Sequence, residues 1–260
     1  MIFEKRMFHF SHIFWYTFNM KYRHFSFPPI IESLVDIQIA PNEKITFEAL
    51  ESLFDKIKSD FPQKNILNQH QIKFGPIGKQ LKTETTEQKN GFVAKSKNES
   101  RAIQYRINGF TFSFLNFYEK WEVLRAESQA LWDLYNATFN PSISRIATKY
   151  VNKIVIPETV FNLDDYFVNL PKVNSQTLGI LENFMFRYSL DRSGLKANVG
   201  LSAIPKTSEK PETAFVFDID VFKLSTESGD RMWNNLDLLN KYADDIFFES
   251  LTEKAGEIFK

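Results

Sequence analysis

Two aspartates stand two positions apart in the run Ala214-Phe215-Val216-Phe217-Asp218-Ile219-Asp220-Val221. On a strand this spacing turns both carboxylates to one face with their Cα atoms about 7 Å apart. Carboxylates so placed can hold a divalent cation or divide acid and base roles. Phe215, Phe217, Ile219 and Val221 take the alternate positions, so the plainer reading is a strand with one wet and one apolar face. Arg145, Arg187 and Arg192 form a second candidate set. Guanidinium groups on neighbouring strands can grip a phosphate or carboxylate bidentately, although ion pairs with Glu182 or Asp191 would use them more simply.

Other chemistries have less to work with. The four histidines are His9, His12, His24 and His70, and there is no cysteine. His9 and His12 stand at i and i+3, and with His24 they lie at or before the start of the fold, which leaves His70 as the sole histidine for a Ser-His-Asp relay or a metal in the body of the chain. The absence of cysteine removes disulfides, thiol nucleophiles, iron–sulfur clusters and cysteine-type zinc sites, and agrees with a reducing, cytoplasmic setting. Gly75-Pro76-Ile77-Gly78-Lys79 lacks the spacing of a phosphate-binding loop and reads as a turn. Phe114, Phe117, Tyr118 and Trp121 cluster ahead of a helix, where they can stack on a ligand ring or simply fill the core. No catalytic set emerges, and the expectation is of no cofactor and no metal.

These residues have to be positioned by a chain of 260 residues with 32 basic and 32 acidic side chains. A neutral balance gives no global field toward phosphate backbones or anionic membranes, which makes nucleic acid an unlikely partner. Twenty-seven phenylalanines against nine glycines and ten prolines mark a core-rich protein rather than a disordered one. No apolar run reaches the ~18–20 residues needed to span a bilayer. Residues 1–19 carry Glu4, Lys5 and Arg6 before an aromatic stretch, with no small-residue cleavage site after it. They read as an extension from a start assigned too early, with Met20 as the first residue of a single domain over 20–260. A weak signal or membrane-contacting segment is the alternative.

Hydrophobic periodicity then assigns the elements. Val35, Ile37 and Ile39 alternate with polar residues as in a half-buried strand. Thr46 caps a helix with Phe47, Leu50, Leu53, Phe54, Ile57 and Phe61 on one stripe, stopped by Pro62. Residues 63–90 are polar; the reading places a strand near Gln71–Phe74 and a mobile loop through Lys79 to Asn90. Strands follow at 91–97, 101–107 and 110–115, the last two joined at Asn108-Gly109. A helix covers 120–139 and ends at Asn140-Pro141, and a long strand spans 143–156. After a short turn at Leu163–Phe167, strands at 183–190, 197–204 and 213–223 precede a closing helix from Asp230 to the end. The fold class this predicts is α+β: mainly antiparallel sheet with helices packed on one side, in two similar halves, 30–139 and 142–260, that share a core.

The stretches Pro28-Pro29-Ile30-Ile31-Glu32, Arg145-Ile146-Ala147, Tyr150-Val151-Asn152-Lys153-Ile154, Phe247-Phe248 and Leu251-Thr252-Glu253-Lys254 occur in that order. In order and spacing the chain resembles an uncharacterised, sporadically distributed prokaryotic family of about this length, whose members begin just before the proline pair. That resemblance implies a bacterial protein of one domain and brings no catalytic residues with it. The functional expectation is therefore a non-enzymatic binding or interaction protein, accessory to another gene product, with its sheet face or the 75–90 segment as contact surface. The alternatives are a metal-dependent or phosphate-binding enzyme built on Asp218 and Asp220, and a nucleic-acid module of a defence or toxin locus.

Overall fold

The computed structural model describes residues 25–77, 80–158, 161–168, 170–171, 183–204 and 213–260, with 70–77 and 80–86 described by their backbone. The extension 1–19, His9, His12, His24 and Glu182 lie outside the described residues.

Strand β1 (Ile30–Ile39) opens the fold, and its alternation buries Val35, Ile37 and Ile39. Helix α1 (Phe47–Ile57) starts where Thr46 accepts a hydrogen bond from the Ala49 N–H. Four strands follow in direct succession: β2 (Gln63–Ile77), β3 (Gln80–Lys95), β4 (Arg101–Arg106) and β5 (Gly109–Leu115). Helix α2 (Trp121–Phe139) ends on Asn140 in the left-handed conformation, with Pro141 barring continuation. Strand β6 (Ile143–Ile156) then begins a second series, continued by a 3-10 turn at Leu163–Asp165 and by β7 (Met185–Arg192), β8 (Leu195–Ile204) and β9 (Thr213–Leu224). Helices α3 (Gly229–Ser250) and α4 (Glu253–Glu257) close the chain.

The nine strands form one sheet in the order β2-β3-β4-β5-β1-β6-β9-β8-β7, and the pairs are antiparallel throughout. The two founding strands, β1 and β6, lie side by side at the centre. Each is flanked by the last strand of its own series, β5 or β9, and each series ends in a long helix. The predicted α+β class, with antiparallel sheet and helices on one side, is what the structure has. Helix α1 rests on β3 and β4, α2 on β5 and β1, and α3 on β6 and β9. Phe92, Tyr105, Phe110, Phe112 and Phe114 are fully buried under α1 and α2, and Phe215, Phe217 and Ile219 under α3. Their rings meet mostly edge to face, as between Phe110 and Trp132 at 5.8 Å.

Three local expectations need correction. Residues 80–90 are strand, not loop: β2 and β3 pair from Gln63↔Lys95 to Ile77↔Gln80. Burial in this hairpin is confined, among the described side chains, to its base around Phe92 and Ala94. The rest therefore carries no apolar alternation, although Thr83, Thr85 and Thr86 suit a strand and the ladder satisfies the backbone. At the β4–β5 turn the register Arg106↔Gly109 leaves Ile107-Asn108 as the two-residue loop. Gly109 belongs to the strand, at φ 151°, where a Cβ would lie 2.2 Å from the Ile37 carbonyl oxygen. The closing helix is also broken. Leu251 turns extended to bridge Phe167, and Thr252 then caps α4. The carbonyl of Ser250 and the N–H of Thr252 are occupied by Val168 and Tyr166, so the backbone groups released by the break find partners.

Candidate functional site

The sidedness of β6 and β9 divides the candidate residues. On β9 the odd positions are buried under α3, and Asp218 and Asp220 project from the opposite face, which no helix covers among the described residues. There they are engaged by cations. Arg145 on β6 donates to both oxygens of Asp220, at 3.1 and 3.0 Å, and to Asp36 on β1 at 3.3 Å. Its guanidinium lies 4.4 Å from the Phe222 ring centroid. Asp36 also accepts from Arg106 and Thr111, each at 2.7 Å. The result is a chain of alternating charges, Arg106–Asp36–Arg145–Asp220, across four strands. Asp218 pairs with Lys149 at 3.1 Å.

The three arginines do not converge. Arg187 on β7 shares the uncovered face and reaches across Gly200, where a methyl group would stand 3.6 Å from its Cγ and Nε. Arg192 lies on the helix side: it pairs with Asp245 of α3 at 2.6 Å and stacks 3.7 Å from the Tyr242 ring centroid. The expected partner Asp191 instead accepts from the Gly194 N–H and shapes the β7–β8 turn. Among the described residues no group of His, Cys, Asp and Glu is arranged to hold a metal ion.

A cavity of about 650 Å³ opens on the other side of the sheet, between the first turn of α2 and the middle of α3, over β6 and β9. Its walls are aromatic: Phe25, Phe117, Tyr118, Trp121, Phe247 and Phe248. Its floor is polar, because β6 carries Tyr150 and Asn152 at positions that face the helices, and α3 carries Asn240 and Asp244 one turn apart. Pro28, Pro29 and Ile30 complete the rim. They are held by hydrogen bonds from Lys153 N–H to the Pro29 carbonyl (2.8 Å) and from Phe27 N–H to the Phe259 carbonyl (3.1 Å).

The floor is only partly satisfied. The Tyr150 hydroxyl donates to Asn240 Oδ1, and the Tyr118 ring meets Tyr150 edge-on at 5.8 Å. Asn152 is 1% exposed; its amide nitrogen donates to the Phe217 carbonyl at 3.0 Å, and no hydrogen bond among the described residues reaches its Oδ1. Asp244 is half-buried and makes no hydrogen bond or ion pair among the described residues. Burial, reinforced by the neighbouring Asp245, raises its carboxyl to about 6. Burial also raises Tyr118 to about 12, with Asp244 and Glu122 adding to the effect, and pushes Tyr150 well above the ordinary phenol range. Both phenols therefore stay protonated at neutral pH and serve as hydrogen-bonding groups rather than bases. A carboxyl titrating near 6 can exchange a proton, but among the described residues no histidine lines the cavity with it.

No family model, curated protein or solved structure matches this chain.

The sequence reading singled out Phe117, Tyr118 and Trp121, which the structure places on one wall, whereas Phe114 lies in the core. It missed Asp244 and Asn240. Their signal was present, since both interrupt the buried stripe Leu236, Leu239, Ala243, Ile246 of α3 at positions where a core helix has no use for an amide or a carboxylate. The polar residues of β6 divide in the same way. Arg145, Lys149 and Lys153 share one face and Thr148, Tyr150 and Asn152 the other, so both faces of that strand carry polar groups.

Proposed function

We propose that the chain acts by recognition: it is a binding protein, accessory to another gene product, and the cavity between α2 and α3 is its ligand site. One observation carries the reading. A cavity of about 650 Å³, walled by six aromatic rings, ends on a floor whose Asn152 oxygen and Asp244 carboxylate have no partner among the described residues. Ligand sites typically combine such concave apolar walls with a few unsatisfied polar groups. Pro28, Pro29 and Ile30 at the start of β1, Tyr150 and Asn152 on β6, and Phe247 and Phe248 on α3 all contribute to this cavity. Asp218, Asp220 and Arg145 lie on the opposite face, where Arg145 pairs with Asp220 and Asp36 and Lys149 pairs with Asp218, so they contribute nothing to it.

The test is a fragment screen of the full chain by thermal shift, repeated on Ser26→Trp, which narrows the mouth at an exposed position. Compounds that stabilise the parent chain are expected to lose their effect on the variant. Compounds that act equally on both would refute the cavity as the site. Metal-dependent phosphodiesterase turnover abolished by Asp218→Asn with Asp220→Asn would refute recognition as the function.

A further inference from the structure

The cavity's charges and rings restrict what it can take. Among the described residues its lining contributes three carboxylates, Glu119, Glu122 and Asp244, against one cation, Lys120. The two glutamates are near the mouth and the start of α2, where water screens them, whereas Asp244 sits among Tyr118, Tyr150 and Asp245. A half-buried carboxylate in an apolar setting without a countercharge costs stability, and the usual compensation is a cation or a set of hydrogen-bond donors. Elsewhere on this sheet the compensation is internal: Asp36 and Asp220 meet arginines and Asp218 meets a lysine. At Asp244 the described protein supplies none.

The surrounding groups point the same way. The Asn152 oxygen left without a donor is a second acceptor on the floor. The faces of aromatic rings carry negative quadrupole potential and attract ammonium groups, most strongly where water is excluded. The opposing influence is the first turn of α2, whose free N–H groups favour anions. Glu122 stands in that turn, so a full negative charge is already set against the partial positive charge of the helix end.

We infer that the ligand is a small organic cation, an ammonium group carried on an apolar body, with the ammonium held by Asp244 and the Asn152 oxygen and the body against the aromatic wall. This rests on the cavity being the ligand site. The groups that face Asp244 among the described residues are Tyr118 from the segment before α2, Tyr150 from β6 and Asp245 from its own helix. With the Asp244 carboxyl raised to about 6, the preference for a cation fades as the pH falls below that value.

Three probes with one body and different heads separate the possibilities: 4-phenylbutylammonium, 4-phenylbutan-1-ol and 4-phenylbutanoate, titrated by calorimetry into the full chain at pH 7.5 and at pH 5. The ammonium is expected to bind about tenfold tighter than the alcohol at pH 7.5, consistent with a desolvated cation–π and carboxylate site, and the carboxylate weakest. Asp244→Asn should erase the ammonium advantage and leave the alcohol unchanged. Equal binding of all three heads, or preference for the carboxylate, overturns the cation assignment; if Ser26→Trp still blocks that binding, the cavity survives as a ligand site. Binding that ignores both Ser26→Trp and Asp244→Asn removes the cavity and the cation together, as does the absence of binding by any of the three.

Discussion

The two faces of the sheet treat charge in opposite ways. On the uncovered face, Asp36 and Asp220 each lie against guanidinium groups, and the side chains of the Asp36–Arg145–Asp220 chain keep only 15–25% exposure. On the covered face the interior is almost wholly apolar and aromatic, yet it contains a half-buried carboxyl, Asp244, with no cation beside it among the described residues. Paired charges stiffen and register strands. An unpaired charge in an apolar setting costs stability and is retained where something else completes it. Under the proposed function, recognition belongs to the covered side, although the more conspicuous charged residues are on the other.

Substitutions can break or sharpen this contrast. The largest effect should come from emptying the covered face away from the cavity. Phe112 is fully buried against Phe61 and Phe114, so Phe112→Ala is expected to cost about 3–5 kcal/mol in urea unfolding. On the uncovered face, Arg145→Met leaves Asp220 without its cation, while Asp36 keeps Arg106 and Thr111. The expected cost is about 2–3 kcal/mol, below that of a fully buried pair because solvent still reaches these groups; a neutral result would reduce the network to a surface decoration. Tyr150→Phe removes the one hydroxyl that reaches Asn240 and should cost about 1–2 kcal/mol for an amide oxygen left without its donor. Lys58→Ala is the control. Its pair with Asp55 is 60% and 72% exposed, and its loss should change stability by less than about 0.5 kcal/mol.

Most of the fold was legible because its elements bury one face each. The alternation of β1 and the stripe of α1 with its Thr46 cap announce themselves locally, and the long β6 is bounded by the two prolines Pro141 and Pro157. What was not legible depended on contacts distant in sequence. The polar β2–β3 hairpin is held by its ladder rather than by burial, and α3 breaks at Leu251 because Phe167 offers a bridge. The site shows the same division. Asp218 and Asp220 were placed on the correct face of their strand, but their neutralisation by Arg145 and Lys149 required knowing which strand lies beside β9. Asn240 and Asp244 were readable as polar intrusions on a buried stripe. Nothing local tied them to Tyr150 and Asn152, ninety residues earlier.

The contrast between the faces is tested most directly by the pH dependence of unfolding for the parent chain and Asp244→Asn. Because the Asp244 carboxyl titrates near 6 in the folded protein against 3.8 when unperturbed, the folded state holds the extra proton between those values. Its contribution to stability is therefore present at low pH and lost as the pH rises through about 6. The variant should match the parent near pH 4 and exceed it by on the order of 3 kcal/mol above pH 7, given ~1.4 kcal/mol for each tenfold change in protonation equilibrium. A difference that stays flat from pH 4 to pH 8, or a variant less stable at neutral pH, would mean that Asp244 is already compensated and that the covered face holds no vacancy for a cation.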